Sequence, residues 1–223
     1  MIDQTFGPPA EWPHQDLIAF SEEFDAWLAV AAYRCGVFPM PLNNSGFRRE
    51  MGWWSPVHRG VLPLGGLKIS RSLRQSLRRY TTSVDEAFPD VLAACADPRR
   101  EGGWIDDEIA RVYLELHQRG IAHSVETWDA GGALVGGLYG ISINGLFAGE
   151  SMFHDPVRGR DASKVALVRL VAELRDGGCE LLDVQWMTPH LASLGVIEID
   201  RADYLNLLDM ALDRPAMVWT RGA

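Results

Sequence analysis

The 223-residue chain has only three cysteines, Cys35, Cys95 and Cys179, far apart and without a C-x-x-C spacing. That excludes a disulfide framework and a cysteine zinc site, and the three are expected as reduced core thiols. No apolar run reaches the roughly 18 residues of a transmembrane helix, and no basic stretch opens the chain, which starts with Asp3 and Glu11 as its first charges. Membrane association is therefore not expected, and the expected address is the cytoplasm. None of the six histidines stands in H-x-x-x-H or another ligand spacing, so no metal site is expected. Internal repeats and low-complexity tracts are also missing. What is there, 47% hydrophobic and 23% charged residues, excludes disorder and suffices for one large core or two unequal domains.

Charge is segregated. The net charge of −9 and pI near 5.1 argue against a nucleic-acid binder as a whole. Yet residues 51–84 contain no Asp or Glu and hold Arg59, Lys68, Arg71, Arg74, Arg78 and Arg79. Removing these six from the 21 basic residues leaves 15 against 30 acidic ones, so one electropositive segment sits on an acidic body. Within it, residues 70–79 read as a short helix capped by Ser70, with Leu73 and Leu77 inward and the arginines outward. A solvated helix face is the plain alternative.

Upstream, Leu17, Phe20, Phe24, Trp27, Leu28 and Ala31 recur at helical spacing from Asp16 to Cys35 and stop at Gly36. Phe38-Pro39-Met40-Pro41, Asn43-Asn44-Ser45-Gly46 and Trp53-Trp54-Ser55-Pro56 then read as loop. A small N-terminal domain is expected over 1–64 and a larger one over 65–223. In the latter, helices are expected at 85–96, 106–118, 162–175, 189–194 and 202–212, and strands at 123–127, 133–142, 146–153 and 179–186. Asp129-Ala130-Gly131-Gly132 marks a hairpin between the first two strands. The order implies an α/β (α+β) fold, one mixed sheet with helices on both faces.

Several motifs fail on inspection. Gly149-Glu150-Ser151-Met152-Phe153 misses the G-x-S-x-G elbow at its last position. Gly136-Gly137-Leu138-Tyr139-Gly140 lies inside a strand, where close approach of another backbone explains it better than a phosphate cradle. The run from strand 146–153 through Val157-Arg158-Gly159-Arg160-Asp161, a helix, a strand and Ser193-Leu194-Gly195 is similar to the GNAT N-acyltransferase pattern. In that fold a helix N-terminus receives the pyrophosphate of acetyl-CoA, but here Asp161 stands where phosphate would approach. The fold is thus expected to be GNAT-like without a working CoA loop.

Taken together, Gly36-Val37-Phe38-Pro39, Trp53-Trp54-Ser55-Pro56, Ile69-Ser70-Arg71-Ser72-Leu73-Arg74, Trp104-Ile105, His123-Ser124-Val125-Glu126, Gly149-Glu150-Ser151-Met152-Phe153, Ala162-Ser163-Lys164 and Leu182-Asp183-Val184-Gln185 closely resemble one family. It is the leucyl/phenylalanyl-tRNA–protein transferases, and the segments follow family order from about residue 34 to 205. The family's N-terminal "GLLA-x-GGDL" signature is replaced here by Asp16-Leu17-Ile18-Ala19-Phe20. The resemblance implies transfer of Leu or Phe, with Met a further candidate, from aminoacyl-tRNA to protein N-termini starting with Arg or Lys, marking them as N-degrons. It implies no cofactor, no membrane and a monomer.

The chemistry needs a grip on the tRNA 3′ end, an apolar side-chain pocket and a neutral α-amine, whose ordinary pKa is about 7.7 to 8.0. Strand alternation places Asp183 and Gln185 on one face, with Glu150 on a neighbouring element. By resemblance Asp183 and Gln185 handle the proton and Glu150 orients the acceptor. A neutral amide serves better as a positioner than as a base, and a route through the ribose hydroxyl stays open. The pocket is expected from Leu138, Phe147, Met152, Leu167, Leu170 and Leu174, which without the resemblance read as plain core. Trp54 and Trp104 suit stacking on the terminal adenine. Lys68, Arg71, Arg74, Arg78 and Arg79 are the expected tRNA-docking surface. An acetyl-CoA-dependent GNAT N-acetyltransferase is the alternative enzyme, and a non-catalytic module binding basic N-termini the third reading.

Overall fold

In the computed structural model of the chain, residues 5–42, 50–100 and 103–219 are described. Among them, two antiparallel-rich sheets are built from ten strands. β1 (Leu17–Ser21), β2 (Phe38–Pro41) and β3 (Met51–Trp54) form a small sheet in the order β1-β3-β2. β4 (His58–Val61), β5 (Thr81–Val84), β6 (Ala122–Trp128), β7 (Leu134–Ile143), β8 (Leu146–His154), β9 (Leu181–Gln185) and β10 (Ile197–Asp200) form the large one, in the order β10-β4-β9-β8-β7-β6-β5. Only β8 and β9 run parallel, joined by α5 (Ala162–Asp176) as a crossover helix.

Helices cover both faces, as the α/β pattern implies. α1 (Ala26–Arg34), α3 (Phe88–Cys95), α4 (Asp107–Gln118) and α7 (Arg201–Leu212) contribute to one apolar cluster that also takes Phe38 and Trp53 from the small sheet. On the other side α5 buries Leu167, Leu170, Val171 and Leu174 against Leu138, Phe147 and Leu182. The remaining helices are short: α2 (Arg71–Ser76) and α6 (Pro189–Leu194).

The N-terminal third differs from expectation. The single helix expected over 16–35 is β1 followed by α1, because Asp25 caps a new helix by accepting the Leu28 N–H at 2.7 Å. Leu17 to Ser21 instead pair with β3. The stretch expected as loop holds β2 and β3, with prolines tolerated because β2 is an edge strand. The Asn43–Gly46 turn lies outside the described residues. β4, within 1–64, belongs to the large sheet. β5 and β10 were not expected at all, each only four residues long.

Elsewhere sequence and structure agree closely. Ser70 caps α2 through the Leu73 N–H, and the 6→7→8 meander is antiparallel. A Cβ on Gly136 would sit 2.5 Å from the Ala162 side chain and 2.8 Å from its backbone, so the start of α5 presses on β7 where the glycines were expected to admit another backbone. All three cysteines are free and buried.

Candidate active site

The site lies where β8 and β9 part. Their ladder runs only over Leu146–Leu181, Phe147–Leu182 and Ala148–Asp183, after which the strands splay and a cavity opens. Two irregularities aim side chains into this gap. β8 carries Tyr139↔Ser151 and Gly140↔Gly149 pairings against β7, which leaves Glu150 as the extra residue of a bulge. Against β4, Gly60 pairs with Gln185 and Val61 with Asp183, which makes Val184 a second extra residue. Gln185 then ends β9 at φ +60°, a left-handed conformation uncommon outside glycine.

An apolar cavity of about 300 Å³ is walled by Leu62, Leu138, Met152, Leu167, Leu170, Leu182, Val184, Leu191 and Val196. A second, of about 250 Å³, is walled by Phe38, Pro39, Met40, Trp104 and Trp186. Glu150, Val184, Gln185, Thr188 and Leu191 line both. Of the six residues expected in the pocket, Leu138, Met152, Leu167 and Leu170 are in the wall. Phe147 and Leu174 are not: both are wholly buried behind it as core. Leu62, Leu182 and Val196 were missed because they come from three separate segments, just after β4, within β9 and just after α6, and carry no shared period.

At the shared wall two polar atoms, Glu150 Oε1 and Gln185 Nε2, are buried without a hydrogen-bond partner. Unsatisfied buried groups are costly, and both atoms belong to residues on the wall that the two cavities share. Glu150 Oε2 accepts from Tyr113 Oη at 2.8 Å, and Tyr113 is itself 2.6 Å from Tyr33 Oη on α1. Burial pushes the Glu150 carboxyl up to about 7, against the lowering effect of the two phenols.

Asp183 does not open onto either cavity, so of the three polar residues expected at the site only Glu150 and Gln185 line it. Asp183 is fully buried, and Arg59 grips it with Nε to Oδ1 at 2.8 Å and Nη2 to Oδ2 at 2.6 Å. Tyr204 Oη donates to Oδ2 at 3.0 Å, and Asp183 Oδ1 accepts the Gln185 N–H at 2.9 Å. Arg59 is therefore no part of an electropositive surface. It is 1% exposed, donates to the Gly36 carbonyl at 3.1 Å and lies between the rings of Phe38 and Tyr204. Burial, the largest single influence, would lower its pKa, but Asp183 together with Tyr204 and Glu150 outweighs it and holds it above the usual value.

The other expected residues are distributed as follows. Trp104 lines the second cavity, while Trp54 does not; it donates to the Met40 carbonyl and packs edge-on against Trp186, which does. Lys68, Arg71, Arg74, Arg78 and Arg79 are all exposed on or beside α2, without a carboxylate partner among the described residues.

A splayed parallel strand pair bridged by one helix, with an apolar cavity and a polar mouth between the strands, defines a candidate ligand site on a mixed α/β sheet flanked by helices. The family model for leucyl/phenylalanyl-tRNA protein transferase matches residues 61–209, and that of the family's N-terminal domain matches 22–57. A leucyl/phenylalanyl-tRNA–protein transferase from Ruegeria sp. is 52% identical over 84% of this chain and 87% of its own. One from Phenylobacterium zucineum is 48% identical over 90% of each. Among solved structures, a GCN5-related glucosamine N-acetyltransferase region of a fungal β-N-acetylglucosaminidase is 12% identical, with a TM-score of 0.49, over 87% of this chain and 24% of that one. The chain belongs to the leucyl/phenylalanyl-tRNA–protein transferase family, and is by that homology an aminoacyltransferase acting on aminoacyl-tRNA and protein. Among the described residues no helix is long and apolar enough to cross a membrane.

Proposed function

We propose that the protein, acting as a cytoplasmic monomer, moves Leu or Phe from aminoacyl-tRNA to N-termini that begin with Arg or Lys, and so marks them for degradation. The observation that carries this reading is the pair of unpartnered atoms, Glu150 Oε1 and Gln185 Nε2, at the mouth of an apolar cavity. The donor's side chain fills the cavity between β8 and α5, excluded from water. Its ester then lies at the mouth, with the terminal adenine against Trp104.

In this reading Glu150 takes the proton of the incoming amine. A carboxyl near 7 meets an ammonium of about 7.7 to 8.0 with closely matched affinity, the condition for efficient transfer near neutral pH. Gln185 donates through Nε2 and positions; it is not the base. Asp183 holds Gln185 in its left-handed conformation through the backbone bond, so it acts as a positioning residue, not by touching the amine. The small N-terminal domain, which ends ahead of β4, supplies Tyr33 of α1 to this network. Acetyl-CoA is disfavoured as donor because Asp161 heads α5, at φ +61° and without capping it by side chain.

The deciding assay offers Phe-tRNA and Leu-tRNA with peptides starting in Arg, Lys or Ala, and acetyl-CoA in parallel. Transfer to the basic starts alone is expected. Acetyl transfer, or indifference to the first residue, would overturn the reading.

A further inference from the structure

A third cavity, of about 680 Å³, opens beside the apolar one and shares Arg100, Met152 and His190 with it. Its lining is basic. Arg100, Arg160 and Lys164 face it against a single carboxylate, Asp161, with His154 and His190 completing its titratable groups. Asp161 is already engaged, accepting from Lys164 Nζ at 2.8 Å and from Ser76 Oγ at 3.2 Å. Arg100 is fixed in the dividing wall by the Cys95 and Met152 carbonyls, each at 2.6 Å, and has no carboxylate ion-pair partner among the described residues. Arg160 is exposed, and its side chain makes no hydrogen bond or ion pair among the described residues, acting on Asp161 only through its charge. The positive potential registers on His190, whose pKa is lowered by burial and then by Lys164 and His154.

The position of this cavity is as informative as its charge. α6 borders all three cavities, with Thr188 and Leu191 on the first two and His190 on the first and third. On its far side, Ser76 at the end of α2 touches Asp161, and Tyr80 Oη donates to the Arg158 and Arg160 carbonyls. The basic cavity thus lies between the mouth of the apolar pocket and the exposed arginines of α2.

We infer that this cavity is a phosphate subsite for the donor RNA, holding the phosphodiester that joins the aminoacylated adenosine to the nucleotide before it. The inference rests on the aminoacyl-transfer reading above. With the side chain in the apolar cavity and the base against Trp104, the 5′ phosphate of the same nucleotide is the anion that must be accommodated beside them. A partly desolvated guanidinium and ammonium pair suits it, and the strand leads on toward α2.

Two donors separate this subsite from the rest of the machinery: aminoacyl-adenosine, which has no phosphate, and aminoacyl-CpA, which has one. Arg160→Glu should raise KM for aminoacyl-CpA about tenfold with kcat unchanged, and leave aminoacyl-adenosine untouched. An equal effect on both donors, or none on either, would overturn the assignment. Because Arg160 is exposed and makes no hydrogen bond or ion pair among the described residues, the variant is expected to fold, and Arg160→Ala gives a milder step in the same direction. Independently of turnover, inorganic pyrophosphate should raise the His190 pKa, followed by NMR, in the wild type and not in Arg160→Glu; an unmoved His190 counts against the subsite. Wild-type protein inactive with every aminoacyl donor would instead refute aminoacyl transfer, and the pyrophosphate titration would still decide whether the cavity binds phosphate.

Discussion

Glu150→Gln should make the protein more stable and less active at once. The carboxyl has an ordinary value of 4.5 and sits at about 7 in the folded chain. Between those values the folded state keeps the proton while the unfolded state releases it, so stability falls as pH rises from about 4.5 to 7 and stays low above. At about 1.36 kcal/mol for each pH unit, the full loss is about 3 kcal/mol. Gln has the same shape, still accepts from Tyr113, and has no charge to bury. At pH 8 the variant should exceed wild type by about 2 to 3 kcal/mol, which at this chain length is a rise in Tm of about 4 to 12 °C. At pH 4.5 the two should coincide. Urea unfolding at both pH values measures this difference directly, cancelling groups the two proteins share. In turnover, the ascending limb of kcat/KM near pH 7 should disappear, leaving only the limb set by the amine. Equal stability at pH 4.5 and 8 relative to wild type would refute the raised carboxyl, and an unchanged pH profile would refute its role as base.

Three other perturbations follow from the same geometry. Arg59→Met strands a buried Asp183 and should cost about 3 to 5 kcal/mol in denaturant unfolding, with Arg59→Met/Asp183→Leu recovering much of the stability but not the turnover; a loss under 1 kcal/mol for the single variant would contradict the ion pair. Leu167→Ala enlarges the cavity wall and should raise the Phe-over-Leu ratio of kcat/KM about tenfold, whereas Leu174→Ala should lower Tm and leave that ratio alone. Similar ratios for the two variants would mean that the donor side chain lies elsewhere. Arg74→Ala/Arg78→Ala should raise KM for aminoacyl-tRNA and flatten its salt dependence by roughly one unit per lost contact, with little change for aminoacyl-adenosine. Equal impairment with both donors would show that α2 supports the fold and not the tRNA.

The long elements of the larger sheet were legible in the sequence because they are periodic: α4 carries acids in its first turn, and β7 and β8 are ten and nine residues with a turn between them, whereas the four-residue strands β4, β5 and β10 are too short to show a period. The N-terminal third was not, since Leu17 and Phe20 fit a helical spacing as well as a strand edge, and only pairing with β3 decides between them. At the site, Glu150 and Gln185 were expected from strand position and resemblance, but the reason both line one wall was hidden. It lies in two bulges, and a bulge is a property of the partner strand's register, which no single segment states. Phe147 and Leu174 illustrate the converse. They share a period with true wall residues, and periodicity tells which face is buried without telling whether a cavity or a packed layer meets it.

Arg59 shows why a count of charges misleads and what the misplaced charge does. In the sequence it belongs to an acid-free basic run; in the fold it joins β4 to β9 through Asp183, to the turn after α1 through the Gly36 carbonyl, and to α7 through Tyr204. A non-glycine residue in the left-handed region costs about 1 to 3 kcal/mol and persists only where its surroundings over-determine it. For Gln185 those surroundings are the Asp183 carboxylate on its N–H and Gly60 opposite, where a Cβ would come within 3.0 Å of the Met187 nitrogen. The ion pair fixes the carboxylate, the carboxylate holds the Gln185 backbone, and that backbone sets Gln185 on the wall shared by the two cavities, which Glu150 also lines. A buried salt bridge is a poor source of net stability, so its retention here is better explained by the orientation it enforces at the mouth of the cavity.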